Sequence, residues 1–246
     1  MTAPIPVLLN GASGRMGQVT AKMLINQPEF TLVGQLGRRD KLANMIKETQ
    51  AEIVIDFTHP DVVFQNTQTI LDNGARAIVG TTGLQSQQLD TLRKRCHELR
   101  RGSIIAPNFS IGVILMMRYA QAIAKYFPRA EIIEMHHDGK ADSPSGTALR
   151  TAELLAAACS NINQPAKDNR EIVSGARGAN HHHVPIHAIR LPGLVAHQQV
   201  IFGETGETLS IGHNAIDREC YMPGLLLACK KVMELKDLVY GLENIL

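Results

Sequence analysis

The first hundred residues alternate short apolar runs with stretches whose apolar positions recur at helical spacing. Pro6 to Asn10 is an apolar run that stops at Gly11, and residues 17–26 follow with Val19, Met23 and Leu24 on a helical period. Residues 31–36 and 52–57 (EIVIDF) are two further runs. Pro60 suits the first turn of a helix reaching Leu71. Arg76 to Val79 leads into Gly80-Thr81-Thr82-Gly83, Ser86 is the expected cap of a polar helix through Leu99, and residues 103–106 end at Pro107-Asn108. Strands alternating with helices predict an α/β fold whose parallel sheet is wound on both faces.

The pattern changes after residue 109. A helix over 111–125 and a strand over 131–135 precede a polar, histidine-rich loop, and Ser145 starts another helix. The runs VPIHAIRL, AHQQVIFG and ETLSIG, separated by turn residues, predict an antiparallel or mixed sheet. A last helix covers roughly 220–235. The chain thus reads as a dinucleotide-binding domain over 1–109, an α+β domain over 110–217, and a segment 218–246 that returns to the first.

Composition narrows the function. The 246 residues carry a net charge of +2 with mixed signs, and aromatics make up 4% with no Trp, so a polyanion partner or base-stacking platform is not indicated. The four cysteines show no CxxC spacing and read as reduced thiols. No secretory signal pattern and no run of about 18 apolar residues stands out, so a cytoplasmic protein without nucleic-acid or membrane partners is expected.

Two segments carry chemistry. Gly11-Ala12-Ser13-Gly14-Arg15-Met16-Gly17 follows a strand and opens a helix, the context in which backbone N–H groups and the helix N-terminus receive a cofactor pyrophosphate. Gly80–Gly83, at a second strand end, adds to that case. At the end of the second strand, Arg38 and Arg39 stand where an acidic residue would bind a ribose 2′-hydroxyl; basic side chains there favour a 2′-phosphate, hence NADPH over NADH. The second segment runs from Glu134 to Ala148. His136, His137 and Lys140 fall within five residues beside a strand end, and Ser145-Gly146-Thr147 then starts a helix. An imidazole that titrates near neutrality, a fixed cation and backbone donors suit an anionic substrate that must be protonated.

With these residues in view, the sequence resembles the dihydrodipicolinate reductases of lysine and diaminopimelate synthesis. The shared stretches are GASGRMG at 11–17, IDFTHP at 55–60, GTTG at 80–83, APNFSIGV at 106–113, EIIEMHHDGKADSPSGTAL at 131–149 and RLPG at 190–193. The resemblance implies an N-terminal Rossmann domain and a C-terminal domain that binds substrate and builds a homotetramer. It implies reduction of 4-hydroxy-tetrahydrodipicolinate, a small dicarboxylate, with loss of water. Carried over by motif, Gly11 to Met16, Gly80 to Thr82, and Ala106, Pro107, Asn108 and Phe109 correspond to cofactor contacts. His136 corresponds to the proton donor and acceptor. Lys140 corresponds to a second proton donor and carboxylate partner, and His137, Gly146 and Thr147 to substrate contacts, to which the helix start adds Ser145. The chain departs from many relatives at Arg38, where they carry an acidic residue, and at His59, where they often carry a basic one. The span between Arg39 and Glu52 is short enough to reduce one helix to a turn.

Two readings remain beside this one: a protein that senses NADPH without turnover, and another two-domain nicotinamide oxidoreductase, against which the His-His-Lys segment argues. His181-His182-His183 invites a metal, but side chains that alternate along a strand would not share an ion, so no metal is expected.

Overall fold

Leu8, Leu9, Ile53, Val54, Ile55, Ile78 and Val79 are fully buried, the two-sided burial that apolar runs acquire as central strands of a parallel sheet. The structure, a computed structural model, describes residues 3–164 and 170–246. They form two compact units: residues 1–111 with 218–246, and residues 112–217.

The first unit begins with β1 (Ile5–Asn10), α1 (Arg15–Ile25), β2 (Phe30–Leu36), α2 (Leu42–Thr49), β3 (Ile53–Asp56) and α3 (Pro60–Asp72). It continues through β4 (Arg76–Val79), α4 (Ser86–Leu99) and β5 (Ser103–Ile105). In the second unit lie most of α5 (Ile111–Ile123), then β6 (Ala130–His136), α6 (Gly146–Ala158), β7 (Ala179–His181), β8 (Val184–Arg190), β9 (Ala196–Glu204) and β10 (Glu207–Ala215). The chain then returns to the first unit as α7 (Met222–Val232) and β11 (Leu238–Tyr240).

All pairings in the six-stranded sheet, order β11-β5-β4-β3-β1-β2, are parallel. The chain leaves β1 toward β2 on one side and re-enters at β3 on the other. That reversal opens a crevice at the carboxyl ends of β1 and β3, where ligands of doubly wound sheets bind. The predicted doubly wound, Rossmann-like fold with a separate α+β unit is what forms. Three local expectations need correction. The short span after Arg39 still makes the two-turn helix α2, because Ile46 can bury against the sheet core. Gln85, not Ser86, caps α4, and its N–H donates to Gln88 Oε1 at 2.9 Å. The tail supplies an unpredicted edge strand, β11, beside β5.

The five-stranded sheet, order β10-β9-β6-β8-β7, is mixed, with only β6 and β8 parallel. One face buries Ile132, Val184, Ile186, Val200 and Phe202 with Ala120 of α5 and Ala148, Ala152 and Leu155 of α6. Among the described residues no helix is long and apolar enough to cross a membrane.

Candidate active site

In the first unit, the candidate cofactor residues gather at the carboxyl ends of the strands. Gly11 takes φ +86, and a Cβ there would lie 2.4 Å from the Phe57 carbonyl oxygen; at Gly17 it would lie 2.4 Å from the Gly11 carbonyl oxygen and 2.7 Å from Ala12 Cα. Both positions therefore require glycine, one for the left-handed turn and one for helix-to-loop packing. Gly14 is less restricted, with its nearest neighbour at 3.3 Å. The N–H groups of Gly11 and Ala12 both donate to the Leu36 carbonyl, which ties the loop to the end of β2. Gly14 caps α1 with no side chain on the helix N-terminus, so its first amides face outward in the arrangement that suits a phosphate.

Arg38 and Arg39 are exposed in the turn after β2. Asp40, the nearest acid, folds back so that Oδ2 accepts the Gly37 N–H at 2.7 Å. One of its oxygens is thereby engaged by the turn itself.

A polar hub lies below these loops. Asp56, fully buried at the end of β3, accepts from Asn10 Nδ2 (2.9 Å), Asn66 Nδ2 (2.9 Å), Thr58 N (3.1 Å) and Oγ1 (2.6 Å), and Thr81 Oγ1 (3.0 Å). A buried carboxylate needs such donors. Here they join β1, α3 and the Gly80–Thr82 loop, leaving Thr82 exposed. A Cβ at Gly80 would strike the Phe57 ring at 2.2 Å. That ring packs edge-on against Phe109 at 6.0 Å. Ala106 N donates to Val79 O at 2.9 Å, Pro107 is exposed, and Asn108 Oδ1 accepts from Ser110 N at 2.8 Å. The cradle thus fits a dinucleotide: glycines stand where backbone must come close, and amides face outward.

In the second unit, His136 is the last residue of β6. Its Nδ1 lies 2.5 Å from Glu134 Oε2. The Glu134 side chain is fully buried and also accepts from Arg190 Nη2 (2.7 Å, to Oε1), Arg190 Nη1 (3.0 Å, to Oε2) and Ser145 N (3.2 Å, to Oε1). Burial pushes the Glu134 carboxyl up, but the hydrogen bonds from His136 and Arg190 outweigh it and hold the group below the ordinary carboxylate range. Ser145 caps α6 by accepting from Ala148 N at 3.3 Å, which leaves Gly146 and Thr147 in its first turn. Lys140 Nζ donates to both oxygens of Asp142, and its N–H donates to the carbonyl of half-buried His137. Arg190 Nη2 also holds the Asp142 carbonyl at 2.9 Å. His136 and Ser145 therefore meet on one carboxylate, and the Lys140 loop reaches the same ion pair through Arg190.

Residues 5–109 match the family described as "Dihydrodipicolinate reductase, N-terminus", and residues 112–246 match "Dihydrodipicolinate reductase, C-terminus". This chain belongs to the dihydrodipicolinate reductase family. Relatives named 4-hydroxy-tetrahydrodipicolinate reductase include one from Legionella pneumophila (strain Corby), 51% identical over 242 residues, covering 98% of each chain. Another, from Coxiella burnetii (strain Dugway 5J108-111), is 51% identical over 243 residues, covering 98% of this chain and 99% of its own. A dipicolinate-bound dihydrodipicolinate reductase from Paenisporosarcina sp. TG-14 superposes with a TM-score of 0.90 at 39% identity, covering 99% of this chain and 100% of that one. The family resemblance carried by the motifs therefore holds.

Three residues of this reductase that organise the site escaped the sequence reading, although each lies in a stretch quoted above: Asp56, Glu134 and Arg190. Glu134 had a signal. It stands two residues before His136 on a strand and so shares its face. Arg190 had none, because only the register places it opposite His136.

Residues 181–183 do not alternate as strand residues would. His182 and His183 adopt φ +51 and +67, so strand alternation ends at His181. The His181 and His182 rings lie 4.5 Å apart, and their nitrogens with a Glu153 oxygen all fall within 4.8 Å of one another. His181 Nε2 is 3.7 Å from Glu153, which Arg150 already holds at 2.9 Å.

Proposed function

We propose that this chain reduces 4-hydroxy-tetrahydrodipicolinate to tetrahydrodipicolinate with loss of water, in lysine and diaminopimelate synthesis. The observation that carries this reading is the meeting of His136 and the Ser145 helix start on buried Glu134, with Lys140 on the adjoining loop. A bound nicotinamide cofactor supplies the hydride that reaches ring C4. The remaining tasks fall to side chains. His136 delivers the proton that the electron-rich ring then takes, as an imidazole can near neutral pH. Lys140 pairs with a substrate carboxylate and serves as a second proton donor. The Gly146 and Thr147 amides, at an N-terminus favourable to anions, take a carboxylate with Ser145, and His137 adds a further contact.

In the first unit, Gly11 to Met16, Gly80 to Thr82 and Ala106 to Phe109 bind the cofactor. Exposed Arg38 and Arg39, with Asp40 turned onto Gly37, support NADPH over NADH. We further read the chain as a homotetramer assembled on the second sheet. Ile133, Met135, Ile189 and Ile201 alternate with the buried strand residues and stay half-buried or exposed, an apolar patch beside the Glu131–His187 pair that a second copy could cover. Light scattering of the purified protein reads the assembly. Cysteines without CxxC spacing, read as reduced thiols, support a cytoplasmic location.

The function is tested by supplying substrate in situ from the condensing synthase that makes it, with NADPH, and identifying the product by mass. Tetrahydrodipicolinate formed only with both supports the reading. Tight NADPH binding without product favours a sensor instead.

A further inference from the structure

We propose that Glu134 is the positioning residue for His136, and that its ion pair with Arg190 holds the His136 ring, the Ser145 helix start and the Lys140 loop in one fixed arrangement. This rests on the reading of His136 as the proton donor.

A carboxylate with no solvent exposure is costly unless its oxygens are filled. Glu134 receives four donors: two N–H groups of Arg190, the His136 ring and the Ser145 amide. Its hydrogen bonds keep it ionised despite burial. An ionised carboxylate only accepts, so the proton of the His136–Glu134 bond belongs to His136 Nδ1. The nitrogen that exchanges a proton with substrate is then Nε2. An orienting carboxylate sets the tautomer of a catalytic imidazole in the same way in serine hydrolases.

Arg190 supplies the second half of the device. Its Nη atoms are directed at Glu134 and at the Ile189 and Asp142 carbonyls. The guanidinium is thus a clamp within the protein. Its hold on the Asp142 carbonyl fixes the loop that carries Lys140, and the Ser145 N–H on Glu134 fixes the turn that presents Gly146 and Thr147. A plain buried ion pair would stabilise the unit without selecting a tautomer, and that difference is measurable.

Three measurements on the full-length protein decide it. Glu134→Gln keeps the volume and removes the charge; kcat should fall by about 10²-fold or more. Nicotinamide affinity should stay within about twofold, and the fall in kcat should exceed any rise in KM. In a His136→Ala background the same substitution should lower kcat at least about tenfold less than it does in the wild type, because the effect through His136 is gone and only the Ser145 and Lys140 contacts remain to be disturbed. The 15N shifts of the wild-type His136 ring, assigned by their loss in His136→Ala, should report the neutral ring protonated at Nδ1. Equal losses in both backgrounds, or a neutral ring protonated at Nε2, overturn the proposal. If Glu134→Gln does not fold, Arg190→Lys carries the test: it keeps the charge but loses the two-point fork, and should lower kcat by about tenfold and shift the His136 15N pattern. Full activity with an unchanged spectrum overturns the proposal as well. A wild-type protein without turnover counts against the functional reading alone, since the 15N spectrum still reads the tautomer.

Discussion

Lys140 and Asp142 form a two-point ion pair, with Nζ 2.6 Å from Oδ1 and 2.8 Å from Oδ2. The Lys140 hydrogen bond pulls the Asp142 carboxyl below its ordinary range, so Asp142 is ionised at neutral pH. Asp142 is mostly exposed, which makes the pair weak enough to exchange for a substrate carboxylate. Asp142→Asn should therefore lower the substrate KM by up to about fivefold. Lys140→Ala should raise KM and lower kcat, with kcat/KM falling about 10²-fold for a lost charge-assisted contact. Initial-rate kinetics separate the two. An unchanged KM in Asp142→Asn would mean that the carboxylates do not compete for Lys140.

His136→Ala removes the proposed proton donor and leaves the Ser145 and Lys140 contacts. Turnover should fall by about 10²- to 10⁴-fold, the range for general acid catalysis, with a smaller change in KM. Near-normal kinetics would remove His136 from the mechanism.

Arg38 and Arg39 are both exposed in a turn held by the Gly37–Asp40 hydrogen bond, so their substitution should leave the fold intact. The double substitution by Ser should raise the NADPH KM about tenfold while the NADH KM moves little. Equal effects on both cofactors would place the arginines elsewhere than at the 2′-phosphate.

The two end glycines of the cradle differ from the middle one. Gly11→Ala sets a side chain 2.4 Å from the Phe57 carbonyl at φ +86, whereas Gly14→Ala meets nothing closer than 3.3 Å. Gly11→Ala should lower Tm by several degrees, at about 1–2 kcal/mol for the left-handed backbone plus the clash, and weaken cofactor binding. Gly14→Ala should leave Tm nearly unchanged. Thermal melts with and without NADPH check both, and equal melts would contradict the backbone argument.

Apolar runs and helical spacing were enough to read the two-unit α/β fold, because buried parallel strands such as Ile53–Asp56 are continuous apolar runs. Edge elements were harder. Leu238–Tyr240 is short, and what makes it a strand is its distant partner β5. The candidate site was legible where its residues are contiguous, as from His136 to Thr147. Arg190 stayed hidden because 54 residues separate it from His136, and the pairing of β6 with β8 alone brings the two level. His181–His183 do not alternate as strand residues for a local reason: left-handed His182 and His183 end the strand at His181.

The most direct measurement is cofactor oxidation followed in the presence of synthase-generated 4-hydroxy-tetrahydrodipicolinate, with NADPH and NADH in parallel. Substrate-dependent oxidation, faster at limiting NADPH than at limiting NADH, is the predicted result. Absence of substrate-dependent oxidation with either cofactor, in a protein that binds NADPH, would contradict it.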